Sequence, residues 1–268
     1  HKSIIRQIFI HSSRVPAWHP FYLFNNSIQS QLNSLPLHAR PGRKVIYSCV
    51  GYILLAKILE SIHQVSFREI GHSRVIDRIG LEDSYIGVVP DLKRQRCAPT
   101  ETGNQFEKQM ALGKTQYREA AEKHRWRTEL IYGEPNDGNC HYMDGSSGNA
   151  GLFSTTADIF RLADEFYPDR CSILTPDATR WFWKNLTPFK RSHRSAGFKL
   201  NSSIVTSGGR GISRKAIGHS GFTGVSIWLE PVTQMKYLLF SNRIHPTVEP
   251  LPFNKIRRKI HKLIRKDL

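Results

Sequence analysis

Gly218-His219-Ser220-Gly221-Phe222-Thr223-Gly224 introduces the part of this 268-residue chain that reads as sheet. Just beyond it, Gly224 to Glu230 and Lys236 to Asn242 have strand length and strand composition. Pro231-Val232-Thr233-Gln234 between them supplies a turn. Glycines at 218 and 224, so close to a strand, point to close approach of another backbone or of a ligand. Upstream the pattern is helical. Ile4 to His11 is apolar with helical character and breaks at Ser12-Ser13-Arg14-Val15-Pro16. Pro41-Gly42 is a turn, and Val50 to Ile62 reads as a buried helix. Gln105 to Trp126 is polar enough for a surface loop or helix, and Asp144 to Asn149 is a loop. Thr155 or Thr156 caps a further helix, with Asp158, Ile159, Leu162 and Ala163 on one face, and Asn201 to Gly211 reads as a flexible connection. At the far end Ile256, Ile260, Leu263 and Ile264 recur at helical spacing among cations, the pattern of an amphipathic helix docked on a core. Helices first and paired strands last predict an α+β fold. A mainly helical part would span 1–190, and an antiparallel sheet with a C-terminal helix 191–268.

Bulk composition agrees with a packed globular chain. Hydrophobic residues make up 39 %, with five tryptophans, and no apolar run approaches the ~20 residues that cross a bilayer. The formal charge is +17, spread along the chain and densest from Lys255 to Lys266. Such charge favours contact with polyanions, but no nucleic-acid motif accompanies it, so no specific nucleic-acid partner is expected. Cys49, Cys97, Cys140 and Cys171 form no C-x-x-C pair, which argues against a zinc site and leaves the compartment open. The chain begins at His1 and not Met, so the expectation is a processed chain or a fragment.

Four segments in order resemble serine β-lactamase-like hydrolases, the superfamily of class C β-lactamases and D-alanyl-D-alanine peptidases. Ile8-Phe9-Ile10-His11-Ser12-Ser13-Arg14-Val15-Pro16 is similar to the family's first stretch, with Arg14 where Gly is usual. Pro41-Gly42 through Tyr47-Ser48-Cys49-Val50-Gly51-Tyr52 matches its Tyr-x-Asn region, with Cys49 in the Asn position. Gly148-Asn149-Ala150-Gly151-Leu152-Phe153-Ser154 matches a third segment, with Asn149 in place of His. Gly218 to Gly224, followed by Trp228 and Pro231, resembles the strand written Lys-Thr-Gly in β-lactamases, and Ser241 to Pro246 follows as in some bacterial members.

The resemblance implies a β-lactamase/transpeptidase-like fold and acyl transfer, with a small-molecule or peptide acyl substrate and no metal or organic cofactor; the location stays open, an exported one being compatible with it. A serine in Ser-x-x-Lys would attack the acyl carbon, its lysine one helical turn away. No Ser-x-x-Lys occurs in the 268 residues, and the family's lies upstream of the segment matched by Ile8 to Pro16. The chain alone is therefore expected to be inactive and poorly soluble, its sheet edge uncovered. Tyr47 would act as base and acid if nearby cations lower its pKa from about 10; otherwise it is a buried tyrosine opening a helix. His219 would bind a substrate carboxylate or stabilise the tyrosinate. Ser220, Gly221 and the amide of Phe222 would meet the substrate, the last as an oxyanion-hole donor. Cys49 would contact substrate weakly, and Asp137 in Gly133-Glu134-Pro135-Asn136-Asp137 is expected to be structural. The alternative is a non-catalytic relative that binds a peptide or cell-wall fragment.

Overall fold

The computed structural model describes residues 2–37 and 40–265. Several of its helices begin at a side-chain cap. α1 (Lys2–Phe9) and α2 (Ile28–Ser34, capped by Ser27) precede the 15-residue α3 (Cys49–His63). Ser48 caps α3 by accepting the Gly51 N–H at 2.9 Å, and Gln64 ends it in the left-handed region. α4 (Phe67–Gly71), started by a Ser66–Glu69 capping box, continues through a π-helical turn at His72–Ile76 into α5 (Asp77–Ile79), stopped at Gly80. β1 (Tyr85–Ile86) and α6 (Asp91–Arg94) follow. The polar stretch 105–126 forms two helices, α7 (Gln105–Leu112) and α8 (Thr115–Lys123). α9 (Gly138–Tyr142) starts on Asp137, and β2 (Leu152–Phe153) returns to pair antiparallel with β1. Thr155 caps α10 (Thr156–Leu162) through the Asp158 N–H at 3.2 Å, and α11 is Pro176–Trp183.

β3 (Lys199–Leu200), β4 (Ile217–Ser220), β5 (Ser226–Leu229) and β6 (Lys236–Leu239) make one antiparallel sheet in that order, and α12 (Phe253–Ile264) closes the described chain. The fold is α+β, helices with small antiparallel sheets. The two last strands are shorter than their composition suggests. Gly224, at φ 130°, still belongs to the turn, and the chain leaves β6 early so that the Arg243 N–H can reach the Thr223 carbonyl at 2.9 Å. The stretch read as a flexible connection is tied down: Asn201 Nδ2 donates toward the carbonyls of Gly209, Ile212 and Ser213 at 2.8, 2.8 and 3.1 Å.

The core lies in three places. Phe21, Val50, Ile53 and Met143 bury the inner face of α3. Ala163, Tyr167, Leu200, Ile217 and Leu229 join the helices after α10 to one sheet face. Ile212, Ala216, Trp228 and Tyr237 form the third cluster. α12 packs against the segment Gly209–Gly211 and buries His261 and Arg257 on that side. Part of the basic charge therefore works inside the molecule. Arg257 Nη2 reaches the carbonyls of Gly221 and Val225 at 3.2 and 3.0 Å, and Arg258 reaches that of Thr206 at 3.0 Å. Among the described residues no helix is long and apolar enough to cross a membrane.

Candidate active site

Tyr47 is placed by a seam between residues 11–17 and 46–49. The Ile46 N–H donates to the His11 carbonyl at 2.8 Å, and the Cys49 N–H to that of Ala17 at 3.0 Å. Ser48 donates its hydroxyl to the Pro16 carbonyl at 2.6 Å and its N–H to His11 Nδ1 at 3.1 Å. That last bond makes Nδ1 an acceptor, so His11 is an uncharged imidazole. Burial first, then the charges of Arg194 and His219, lower its pKa to about 3. Its ring lies 4.6 Å from that of Tyr47 and 5.0 Å from that of Tyr52, centroid to centroid.

Arg14, where the resemblance has Gly, sits at φ 80° with a buried Nε that has no hydrogen-bond partner among the described residues. A side chain in that left-handed conformation costs about 1 kcal/mol or more. Arg14→Gly is therefore expected to raise stability by about 1 kcal/mol in chemical denaturation. A loss of stability would mean that the arginine makes a compensating contact.

β4 brings His219 to the other side of Tyr47, with ring centroids 5.7 Å apart. Burial, then Arg194 and Lys199, lower the His219 pKa to about 4, so it is neutral near pH 7 and is no substitute for a lysine cation. Tyr47 shifts in the opposite direction. Although 47 % of it is exposed, desolvation dominates and pushes its phenol above the ordinary tyrosine value, followed by Cys49; Arg194 alone opposes among the charged neighbours. The Arg194 guanidinium lies 5.8 Å from the ring centroid.

Beneath Tyr47 runs an acidic layer. Burial, then Asp137, pushes the Cys49 thiol up to about 12, so it is no thiolate nucleophile. Asn149, beside it, donates to Asp137 Oδ2 at 3.0 Å and accepts from the Ser147 hydroxyl, which occupies its amide. Asp137 also accepts the Cys140 N–H at 2.8 Å as the cap of α9, and burial pushes its carboxyl up. Glu107, 7 % exposed, accepts the Gly138 N–H at 3.0 Å; burial and then Asp137 raise its pKa to about 8.

At the end of β4, Ser220 faces Ser226 across the ladder, and the Gly221 N–H donates to the Val225 carbonyl at 2.8 Å. A Cβ on Gly221 would meet the Val225 side chain, one on Gly218 the Ile227 carbonyl and the Trp228 ring, and one on Gly224 the Ser241 carbonyl. The close approach expected at these glycines is thus made by the hairpin and by Ser241 beyond β6. Phe222 is 41 % exposed, its ring 5.0 Å from Phe106, and its carbonyl accepts from Arg243 Nε at 2.7 Å. No acceptor among the described residues takes the Phe222 N–H.

The structure therefore gathers Tyr47, Cys49 and His219, and sets Ser220–Phe222 where β4 runs on from His219. His11 and Arg194 are participants that the motifs did not single out. His11 lies inside a quoted segment, but nothing in its spacing announces a contact with Tyr47. Arg194 belongs to no motif. Among the described residues no group of three or more His, Cys, Asp or Glu could hold a metal ion. A cavity of about 400 Å³ lies between Gln7, Ile10, Gly42 and Thr187–Lys190, and none of the gathered residues lines it.

A family model described as Beta-lactamase matches residues 4–258. An Escherichia coli (strain K12) protein named "Putative D-alanyl-D-alanine carboxypeptidase" is 29 % identical over 230 residues, 80 % of this chain and 49 % of that protein. The chain spans about half the length of the curated relatives it matches. Among solved structures, a penicillin-binding protein homologue from Caulobacter crescentus aligns with a TM-score of 0.65 at 17 % identity, covering 97 % of this chain and 71 % of that one. The simvastatin synthase of Aspergillus terreus aligns at 0.63 and 13 %, covering 98 % and 67 %. At these identities the structures speak for the fold alone.

Proposed function

The chain belongs to the beta-lactamase family, and we propose on that premise that it carries the tyrosine and strand side of a serine acyl-transfer site. The reaction is hydrolysis of an ester, amide or lactam through an acyl-enzyme. The observation that carries the reading is the meeting of Tyr47 and His219, 172 positions apart, with ring centroids at 5.7 Å. Tyr47 moves the proton between nucleophile and leaving group. Neutral His219 hydrogen-bonds to the substrate or to Tyr47. The free N–H of Phe222 polarises the acyl oxygen, and Ser220 and Gly221 form the strand edge along which substrate lies. Cys49 lines the floor. The carboxypeptidase name carried by relatives favours a peptide substrate.

No Ser-x-x-Lys occurs in the 268 residues, so this reading assigns the nucleophile and its lysine to residues outside them. The second reading, a non-catalytic relative that binds a peptide or cell-wall fragment, draws on Cys49. A protonated thiol cannot supply the two hydrogen bonds of the amide that the resemblance has there. Intact-mass analysis with a fluorophosphonate separates the two. The 268-residue chain is expected to gain no adduct, and the protein expressed from its full reading frame to gain one per molecule, on a serine. A full-length protein that stays unlabelled removes the hydrolase and leaves the binding protein.

A further inference from the structure

Arg194 lies between α11 and β3 and is 6 % exposed. Its backbone is fixed from both sides: its N–H donates to Thr187 Oγ1 and its carbonyl accepts the Leu186 N–H, each at 2.8 Å. The guanidinium is different. Nε and Nη1 are buried without an acceptor among the described residues, and no carboxylate among them forms an ion pair with it. Arginine cannot escape burial by losing its proton, so a cation left this way is costly unless something nearby uses its field. The Arg194 guanidinium stands 5.8 Å from the centroid of the Tyr47 ring, and the groups whose negative forms would favour its charge are the phenols of Tyr52 and Tyr47.

The surroundings of Tyr47 show why that field matters. From α3 and its approach come Cys49 and Tyr52, from the turn after α1 comes His11, from β4 His219, and from the start of α9 Asp137. Cys49, Tyr52 and Asp137 oppose a phenolate, and both histidines are neutral. Lys199 pairs opposite Gly218 and bears on His219. We propose that Arg194 is a positioning residue of the site, the fixed positive charge that lets the Tyr47 phenol give up its proton where His219 cannot assist. The purpose rests on the hydrolase reading. The coupling of the two residues does not.

The test replaces Tyr47 with 3,5-difluorotyrosine, whose phenol ionises near neutral pH, and follows the ionised form by ultraviolet absorbance in the otherwise unaltered protein. Arg194→Gln is expected to cut the ionised fraction on the acidic side of the midpoint about tenfold, the size of one charge near 6 Å in a partly screened site. Arg194→Lys keeps the charge and should hold it within about threefold. An unmoved midpoint in a folded Arg194→Gln overturns the proposal. If that variant does not fold, Arg194→Lys decides, since a tenfold loss with the charge intact would make the role one of shape. None of these readings needs turnover, so they stand or fall apart from the fluorophosphonate result.

Discussion

Tyr47→Phe is expected to lower ester turnover by the protein expressed from its full reading frame by about 10²- to 10⁴-fold, the range lost with a positioned proton carrier. The fall should appear in kcat and in kcat/KM together, because the phenol acts in the transition state and not in ground-state binding. The fold should not change. The ring is half open to solvent, and its polar neighbour is the Cys49 thiol, a weak hydrogen-bonding partner. Thermal midpoints of the two proteins are therefore expected to agree within about 2 °C, consistent with a surface-type substitution. Unchanged turnover in the variant would take Tyr47 out of the chemistry and leave it a wall of the cleft.

Stability against pH should peak near pH 6.5, for reasons that lie in two layers of the site. His11 and His219 have folded pKa values of about 3 and about 4, below the ordinary 6.5. The unfolded chain binds their protons first, so the stability that they lend is present above pH 6.5 and is lost as the pH falls toward 4 and below. Glu107 works in the opposite sense. Its folded pKa of about 8 lies above the ordinary 4.5, so the folded chain holds the proton longer and stability drops as the pH rises through that window. Below pH 6.5 the lowered histidines, His11 and His219 foremost, pull stability down as the pH falls; above it the raised carboxyls of Glu107, Asp137 and Glu101 pull it down as the pH rises. Glu107→Gln can still accept the Gly138 N–H and carries no charge to bury. It is expected to gain on the order of 2–3 kcal/mol at pH 8 and to flatten the alkaline limb. A wild-type melting temperature that climbs from pH 6.5 to 8, or a variant with the same alkaline slope, would contradict this account.

Much of the fold could be read from local chemistry. Ser48 before an apolar run, Thr155 three residues ahead of Asp158 and the turn at Pro231–Gln234 act within a few residues of themselves, and each structure forms where its residues stand. The meeting of Tyr47 and His219 was legible because motifs name both residues. It was not legible where long-range packing decides. His11 acquires its role from the Ser48 N–H, 37 positions away, and Arg194 from a phenol 147 positions back. The glycines of the β4 hairpin show the limit from the other side. Their presence correctly indicated close approach, but the groups that approach are Val225 and Trp228 of the hairpin and Ser241 beyond β6, which no alternation of residue types specifies. The charge states escaped as well. That a histidine stands in a lysine position is plain from the letters, whereas its neutrality follows from burial and from Arg194.

The seam that stitches residues 11–17 to 46–49 also bears on how the molecule folds. His11, Tyr47, Arg194 and His219 come from four distant stretches, so the cluster exists only after the most non-local contacts of the chain have closed, the kind that make folding slow. The His11 imidazole makes this visible. It is an ordinary titrating histidine in any state where the cluster is open and an uncharged one once it has closed. Its protonation followed during refolding would time the closure of this cluster, independently of any substrate.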